Sequence, residues 1–331
     1  MRDKIAGALY GMALGDAMGM PAELWGRKRV KAFFGRIEGF LDGPAENDVA
    51  FNYKKGQFTD DTGQALVLLD SIESTDYEPD TRDIALRMLA WAEKENAFEN
   101  NILGPTSKVA LANFRDNIQD SRITDKALSN GSAMRIAPIG CLFRPEQKDD
   151  IARYVYLVSR ATHTSDVTIA GAAMIAEAVS SAIVKDDFEK VMEDVFGIEE
   201  IGYGMGCETF SPRLGERLRI GLDIAGSYKG DDEGFIHKLY DVVGTGVGII
   251  ESVPAALSVA YYAQDPNLSC LLCANMAGDT DTIGAMATAV CGAFTGMGRI
   301  KPEYIRTLRQ QNDADFDHYI RILEKGRERF A

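Results

Sequence analysis

Residues 1–19 read MRDKIAGALYGMALGDAMG. Ile5, Leu9, Met12 and Ala13 recur at helical spacing and form one apolar stripe. Gly7, Gly11, Gly15 and Gly19 recur every four residues and form a second stripe, of small residues, that lets another helix approach closely. Asp16 interrupts the stretch, so it is not a membrane-dimer segment. Pro21 predicts that the helix ends near Gly19. The same texture continues outward. Apolar positions at spacings of three and four mark helices near 62–72, 82–97, 151–161, 168–183, 213–225, 252–263, 283–294 and 316–330. Strand signals are poor, and 242–250 is too rich in Gly for a central strand. The expected fold class is all-α, a compact multi-helix domain over residues 1–331, with two halves meeting near residue 200 as the alternative. The charged stretch 185–200 and the Gly-rich piece 197–206 look like a surface insertion.

Composition narrows the function. Lys plus Arg number 36 against 50 Asp plus Glu, a net charge of −14. That balance argues against nucleic-acid partners, whose phosphates need a basic face, and against docking on an anionic membrane. With 46% hydrophobic and 26% charged residues the chain is expected to fold. Its apolar runs break well short of the ~20 residues of a membrane span. Five cysteines, an odd number in no spaced framework, and no basic-then-apolar leader point to a reduced, cytoplasmic setting. Cys270 and Cys273 lack the second pair that a zinc site would need. The segment 244–248, GTGVG, lacks the Gly-Lys-Ser/Thr ending of a phosphate loop and reads as a tight turn.

Two short segments carry more acid than structure alone requires. Thr59, Asp60, Asp61 and Thr62 stand just before an apolar helix, and so do Asp279, Thr280, Asp281 and Thr282. Each segment could simply cap its helix, since Ser, Thr and acids suit a first turn. One acid suffices for that, however, and adjacent carboxylates repel unless a cation sits between them. If the two helix starts face each other they offer an all-oxygen set for hard cations such as Mg²⁺, Mn²⁺ or Ca²⁺. Four carboxylates match two divalent ions. Glu23 follows the first helix on a loop, where an acid is ordinarily just solvated.

Taken in order, Gly15-Asp16-Ala17-Met18-Gly19 with Glu23, the 59–62 segment, Asn130-Gly131-Ser132-Ala133-Met134-Arg135, and 278–284 (GDTDTIG) resemble the ADP-ribosylglycohydrolase family over nearly the whole chain. The resemblance implies an all-helical fold with two Mg²⁺ or Mn²⁺ ions in a central cleft. It makes Thr59, Asp60, Asp61, Asp279, Asp281 and Thr282 metal ligands and Glu23 the base or gate beside them. It places Gly104, Thr106 and Ser107, then Asn130, Gly131 and Ser132, in loops lining the ribose and phosphate site, with His163 at the cleft. Without the resemblance, these would read as turns, helix starts and a packing histidine. Members acting on ADP-ribosyl-arginine usually carry an acid near the Gly104 loop; here Asn100, Asn101 and Ile102 stand there. The stretch 27–52 carries few motifs and is expected to close over the cleft.

The resulting expectation is a metal-dependent hydrolase of the C1″ glycosidic bond of an ADP-ribosylated protein or a small ADP-ribosyl compound, with Glu23 orienting or deprotonating the water. Two rivals use the same residues: a hydrolase of nucleosides or other small ribosyl conjugates, and an inactive module that binds ADP-ribose.

Overall fold

The glycine stripe of the first helix meets its counterpart at the other end of the chain. In the computed structural model, which describes residues 1–100 and 102–331, helix Arg2–Gly19 lies antiparallel against helix Thr280–Thr295. A Cβ on Gly7, Gly11 or Gly15 would collide with the backbone carbonyl of Gly292, Thr288 or Gly284. The two backbones therefore touch, and side chains larger than hydrogen are excluded along the contact. This pair forms the centre of the molecule, with every residue from Ile5 to Gly19 buried.

Helix Asp166–Val184 runs beside the pair and is packed by Lys148–Ser159, Phe188–Tyr203 and Ile249–Ala263. Its buried side chains join those of the N- and C-terminal helices in one continuous core. Among the described residues there are 17 α-helices, two short 3₁₀ turns and no strand longer than an isolated bridge, so the all-α expectation holds. The first helix ends at Gly19, with Pro21 in the 3₁₀ turn Met20–Ala22.

Three expectations need correction. The segment 185–206 is not an insertion: Phe188–Tyr203 is a 16-residue helix that buries Phe188, Val191, Met192, Val195 and Ile198. Those positions follow helical spacing, but the acids and lysines between them masked it in the sequence. One helix, Asp166–Val184, is long and apolar enough to cross a membrane, contrary to the reading of short apolar runs. With 94% of its apolar window buried inside the protein, it serves as the core helix. The helices Arg27–Phe34, Pro105–Arg115, Asp232–Val242, Pro266–Met276 and Pro302–Gln311 went unread. Cys270 and Cys273 are buried free thiols on the fourth of these. Gly244, at φ +89, makes the turn that leads into Ile249–Ala263. Asn101, part of the departure from arginine-directed relatives, lies outside the described residues.

Candidate active site

Helix Asp60–Ser74 and helix Thr280–Thr295 begin at the same place. The Thr59 hydroxyl donates to Asp281 Oδ2 at 3.5 Å, and the Thr282 hydroxyl donates to Asp61 Oδ1 at 3.3 Å. Residues more than 200 positions apart thus meet across two positive helix ends. Neither cluster caps its own helix. Thr59 and Asp279 stand at the N-cap positions, yet neither side chain accepts a capping bond. At the first helix start that work is done by Asp16. Its Oδ1 accepts the N–H of Thr59 at 2.8 Å, and its Oδ2 accepts the N–H and the hydroxyl of Thr62 at 3.0 and 2.6 Å. The acids of residues 60 and 61 are left for another purpose.

Asp16, Asp61 and Asp281 each place a carboxylate oxygen within 4.8 Å of the others. Asp61 Oδ2 and Asp281 Oδ1 are buried and find no hydrogen-bond partner among the described residues. Burial pushes the Asp16 carboxyl up to about 6, and burial together with the Asp16 charge pushes Asp60 up to about 8. Asp61 and Asp281 are also held well above the usual carboxylate range, by burial first and then by the surrounding acids. Buried acids crowded in this way, with orphaned oxygens pointing inward, are what a divalent cation would satisfy. The donor set is all oxygen, which suits Mg²⁺ or Mn²⁺ and not zinc. The residues present fit such an ion.

Glu23 is brought to the same centre by the loop after the first helix. The Gly278 N–H donates to the Trp25 carbonyl at 3.0 Å, and the Leu24 N–H reaches the Gly278 carbonyl at 2.7 Å. Gly278 has φ +86, and a Cβ there would strike the Thr245 carbonyl. Glu23 is half-buried as a residue; burial of its carboxyl, then Asp279 and Asp60, raise its pKa well above the ordinary value. Asn47 donates to the Glu23 carbonyl at 3.0 Å, so the stretch 27–52 is fastened to this loop. Tyr53 borders the same acids, and burial, then Asp60 and Glu23, push its phenol up.

The loops named for the substrate lie on the other side of Asp60. Asn130 Nδ2 donates to Asp279 Oδ2 at 2.5 Å, joining its loop directly to the acidic centre. Behind it runs a continuous hydrogen-bonded chain. Asp60 accepts from Gln64 at 2.9 Å, and Gln64 accepts from Arg135 at 2.7 Å. Arg135 donates to the Thr162 hydroxyl at 2.5 Å, and that hydroxyl pairs with His163 Nδ1 at 2.8 Å. His163 Nε2 pairs with Ser129 at 3.1 Å, and Ser129 with Thr106 at 2.9 Å. Arg135 is buried, which lowers its guanidinium to about 10 against the pull of Asp60 and Asp61. Burial, and then Arg135, keep His163 well below its usual pKa and therefore neutral.

His163 and Ser132 have no exposed surface. His163 stands behind Gly131, where a Cβ would come within 2.7 Å of its Cε1, and Ser132 donates to the Thr168 carbonyl at 2.9 Å. Both therefore sit behind the loops expected to line the cleft. Gly104 is exposed at the start of helix Pro105–Arg115, while Thr106 and Ser107 are buried on its first turn. Asp16 and Arg135 stood inside the quoted motifs without an assigned role, and Gln64, Ser129 and Thr162 were given none. Asp16 carried a further signal, as an acid without a charged neighbour inside an apolar helix.

Known proteins share this fold and sequence. The profile of a family described as ADP-ribosylglycohydrolase matches residues 1–329. YegU, an uncharacterized protein of Escherichia coli (strain K12), is 44% identical over 327 residues, 98% of each chain. The ADP-ribosylarginine hydrolase Tri1 of Pseudomonas putida (strain GB-1) is 26% identical over 309 residues, 92% of this chain and 73% of that protein. A solved structure described as an ADP-ribosylglycohydrolase-related protein complex shares the fold, with a TM-score of 0.72 over 98% of both chains at 22% identity. A family match that spans the paired helices, both acidic helix starts and the Asn130 loop covers the whole arrangement, and the chain belongs to the ADP-ribosylglycohydrolase family of hydrolases.

Proposed function

We propose that this protein is a metal-dependent glycohydrolase that cleaves the C1″ bond of an ADP-ribosyl group and releases ADP-ribose. The observation that carries the reading is the meeting of two acidic helix starts beside Glu23, with Asp61 Oδ2 and Asp281 Oδ1 buried and unpartnered among the described residues. Thr59, Asp60, Asp61, Asp279, Asp281 and Thr282 would hold two divalent cations, Mg²⁺ or Mn²⁺. When bound, such ions supply positive charge that orients ribose hydroxyls and eases deprotonation of water. That local charge also suits a pyrophosphate substrate that the net charge of −14 would otherwise repel.

The chain's own groups do the rest. Asn130 presents its amide beside Asp279, and Gly104, Thr106, Ser107 and Gly131 shape the ribose and phosphate side. Ser132 and His163 hold those loops in register. As the C1″ bond stretches, the sugar gains oxocarbenium character. Glu23 accepts the proton of the attacking water, the water oxygen bonds to C1″, and the electron pair of the broken bond leaves with the acceptor atom, which takes up the proton. A base in this position contributes about 10²–10⁴-fold.

Incubation with Mg²⁺ or Mn²⁺ and a panel of ADP-ribosylated peptides, O-acetyl-ADP-ribose and nucleosides, followed by mass spectrometry, tests the reading. Free ADP-ribose is the expected product. Turnover confined to nucleosides would overturn it.

A further inference from the structure

A groove of about 490 Å³ leads away from the acidic centre along helix Asp60–Ser74, a volume in the range of small-molecule sites. Thr59, Gly63, Leu66, Val67 and Asp70, spaced three and four apart, form one wall. Trp91, packed against Gly63, and Tyr319, hydrogen-bonded to Asp70, continue the lining, and Tyr53 and Phe58 join it beside Thr59. Gly63 lets the indole lie close, since a Cβ there would sit 3.1 Å from Trp91 Nε1. Gln64 points from the same helix into the chain that reaches Arg135, His163 and Thr106. None of those residues, nor Asn130, lines the groove. The helix start therefore has two flanks. One carries the loops assigned above to the ADP-ribosyl group, and the other carries this groove.

The groove has its own chemistry. Five aromatic side chains, Phe51, Tyr53, Phe58, Trp91 and Tyr319, line it. Its charged groups are Asp70, Glu95 and Asp313 against Lys94, an acidic balance in an already acidic protein. Aromatic faces beside carboxylates favour a flat cation and disfavour phosphate. We propose that this groove holds the group on the far side of the scissile bond, and that it selects a leaving group with an aromatic ring bearing positive charge. The inference rests on the ADP-ribosyl reading of the opposite flank.

The probe is benzylammonium, titrated into the intact protein and followed by ligand-observed NMR, with ethylammonium, benzyl alcohol and inorganic phosphate alongside. Benzylammonium is expected to bind better than the other three and to remain bound at saturating ADP-ribose. Trp91→Leu should weaken it at least about fivefold, the loss of one cation–π contact, and should leave ADP-ribose binding unchanged. Asp70→Asn should weaken benzylammonium but not benzyl alcohol, a readout that survives if the tryptophan variant fails to fold. Displacement by ADP-ribose, equal binding of ethylammonium, or no response to either substitution overturns the proposal. Failure of ADP-ribose itself to bind would instead remove the functional reading, while the benzylammonium response still reports on the groove.

Discussion

Asp16 holds Thr62 twice: its Oδ2 accepts both the backbone N–H, at 3.0 Å, and the hydroxyl, at 2.6 Å. With the Thr59 N–H on the other oxygen, one carboxylate from the first helix fixes the start of the helix that carries Asp60 and Asp61. Asp16→Asn keeps the shape but weakens these charge-assisted bonds. Loss of a partner that orients metal ligands typically costs about 10–100-fold in metal affinity or activity. That loss is expected in a calorimetric Mn²⁺ titration, with helix content unchanged. A variant that melts earlier but binds Mn²⁺ like wild type would make Asp16 a packing residue only.

Asp281→Asn separates a metal centre from a pair of caps. Asp281 faces Glu23, Asp61, Asp279 and Asp16, all of which push its carboxyl up, and its Oδ1 has no partner among the described residues. The amide stays neutral without having to hold a proton against the surrounding acids, so the metal-free variant should melt at or above wild type. It should gain little from Mg²⁺ or Mn²⁺, because a ligand stabilises a fold only through the site that binds it. Hydrolysis should nearly vanish. If the acid merely capped its helix, the variant would lose about 0.5–2 kcal/mol whether or not metal is present. An unchanged thermal response to Mn²⁺ would sink the paired-metal reading.

Glu23→Gln should keep the hydrogen-bonding shape, retain most Mn²⁺ binding and lose at least about a hundredfold in kcat, as for removal of a general base. Steady-state rates on the best substrate decide this. A change smaller than about threefold would show that the proton goes elsewhere.

The pH profile of the metal-free protein carries a definite sign. Asp16, at about 6, and Asp60, at about 8, together with Asp61, Asp281 and Glu23, are all held above the ordinary carboxylate range, chiefly by burial. The folded chain therefore keeps protons that the unfolded chain has already released. The stability linked to them is full below about pH 4 and is lost as pH climbs through the folded values. In EDTA the melting temperature should fall by several degrees between pH 5 and pH 8. Excess Mn²⁺ should flatten or reverse that slope, since cation and protons compete for the same oxygens. A flat profile in EDTA would mean that these acids titrate normally.

The helices were legible where apolar spacing was clean, as in residues 1–19 and 166–184. They were obscured where charge filled the gaps, as between Phe188 and Ile198. The paired acids stood out because each helix start holds more carboxylates than capping requires. Their convergence could not be read, since it depends on which helix the glycine stripe would meet. Asp16 was visible as a charge inside an apolar run; its partners lie 43 and 46 residues away. The chain from Asp60 through Arg135 to Thr106 is built from pairs far apart in sequence, so no local pattern announces it. His163 was noticed, but its burial depends on Gly131 and Thr162 packing around it.

The contact of Gly7 with Gly292 has a consequence for biogenesis. A nascent chain grows at about 5–20 residues per second, so on the order of 15–60 s separate the synthesis of these two glycines. Throughout that interval the first helix has no partner for its bare backbone stripe. Asp60 and Asp61 likewise wait for Asp279 and Asp281, which come off the ribosome only just before the helix that completes the clasp. Translation thus delivers a long segment able to form helices, and the acidic centre comes together in one late step.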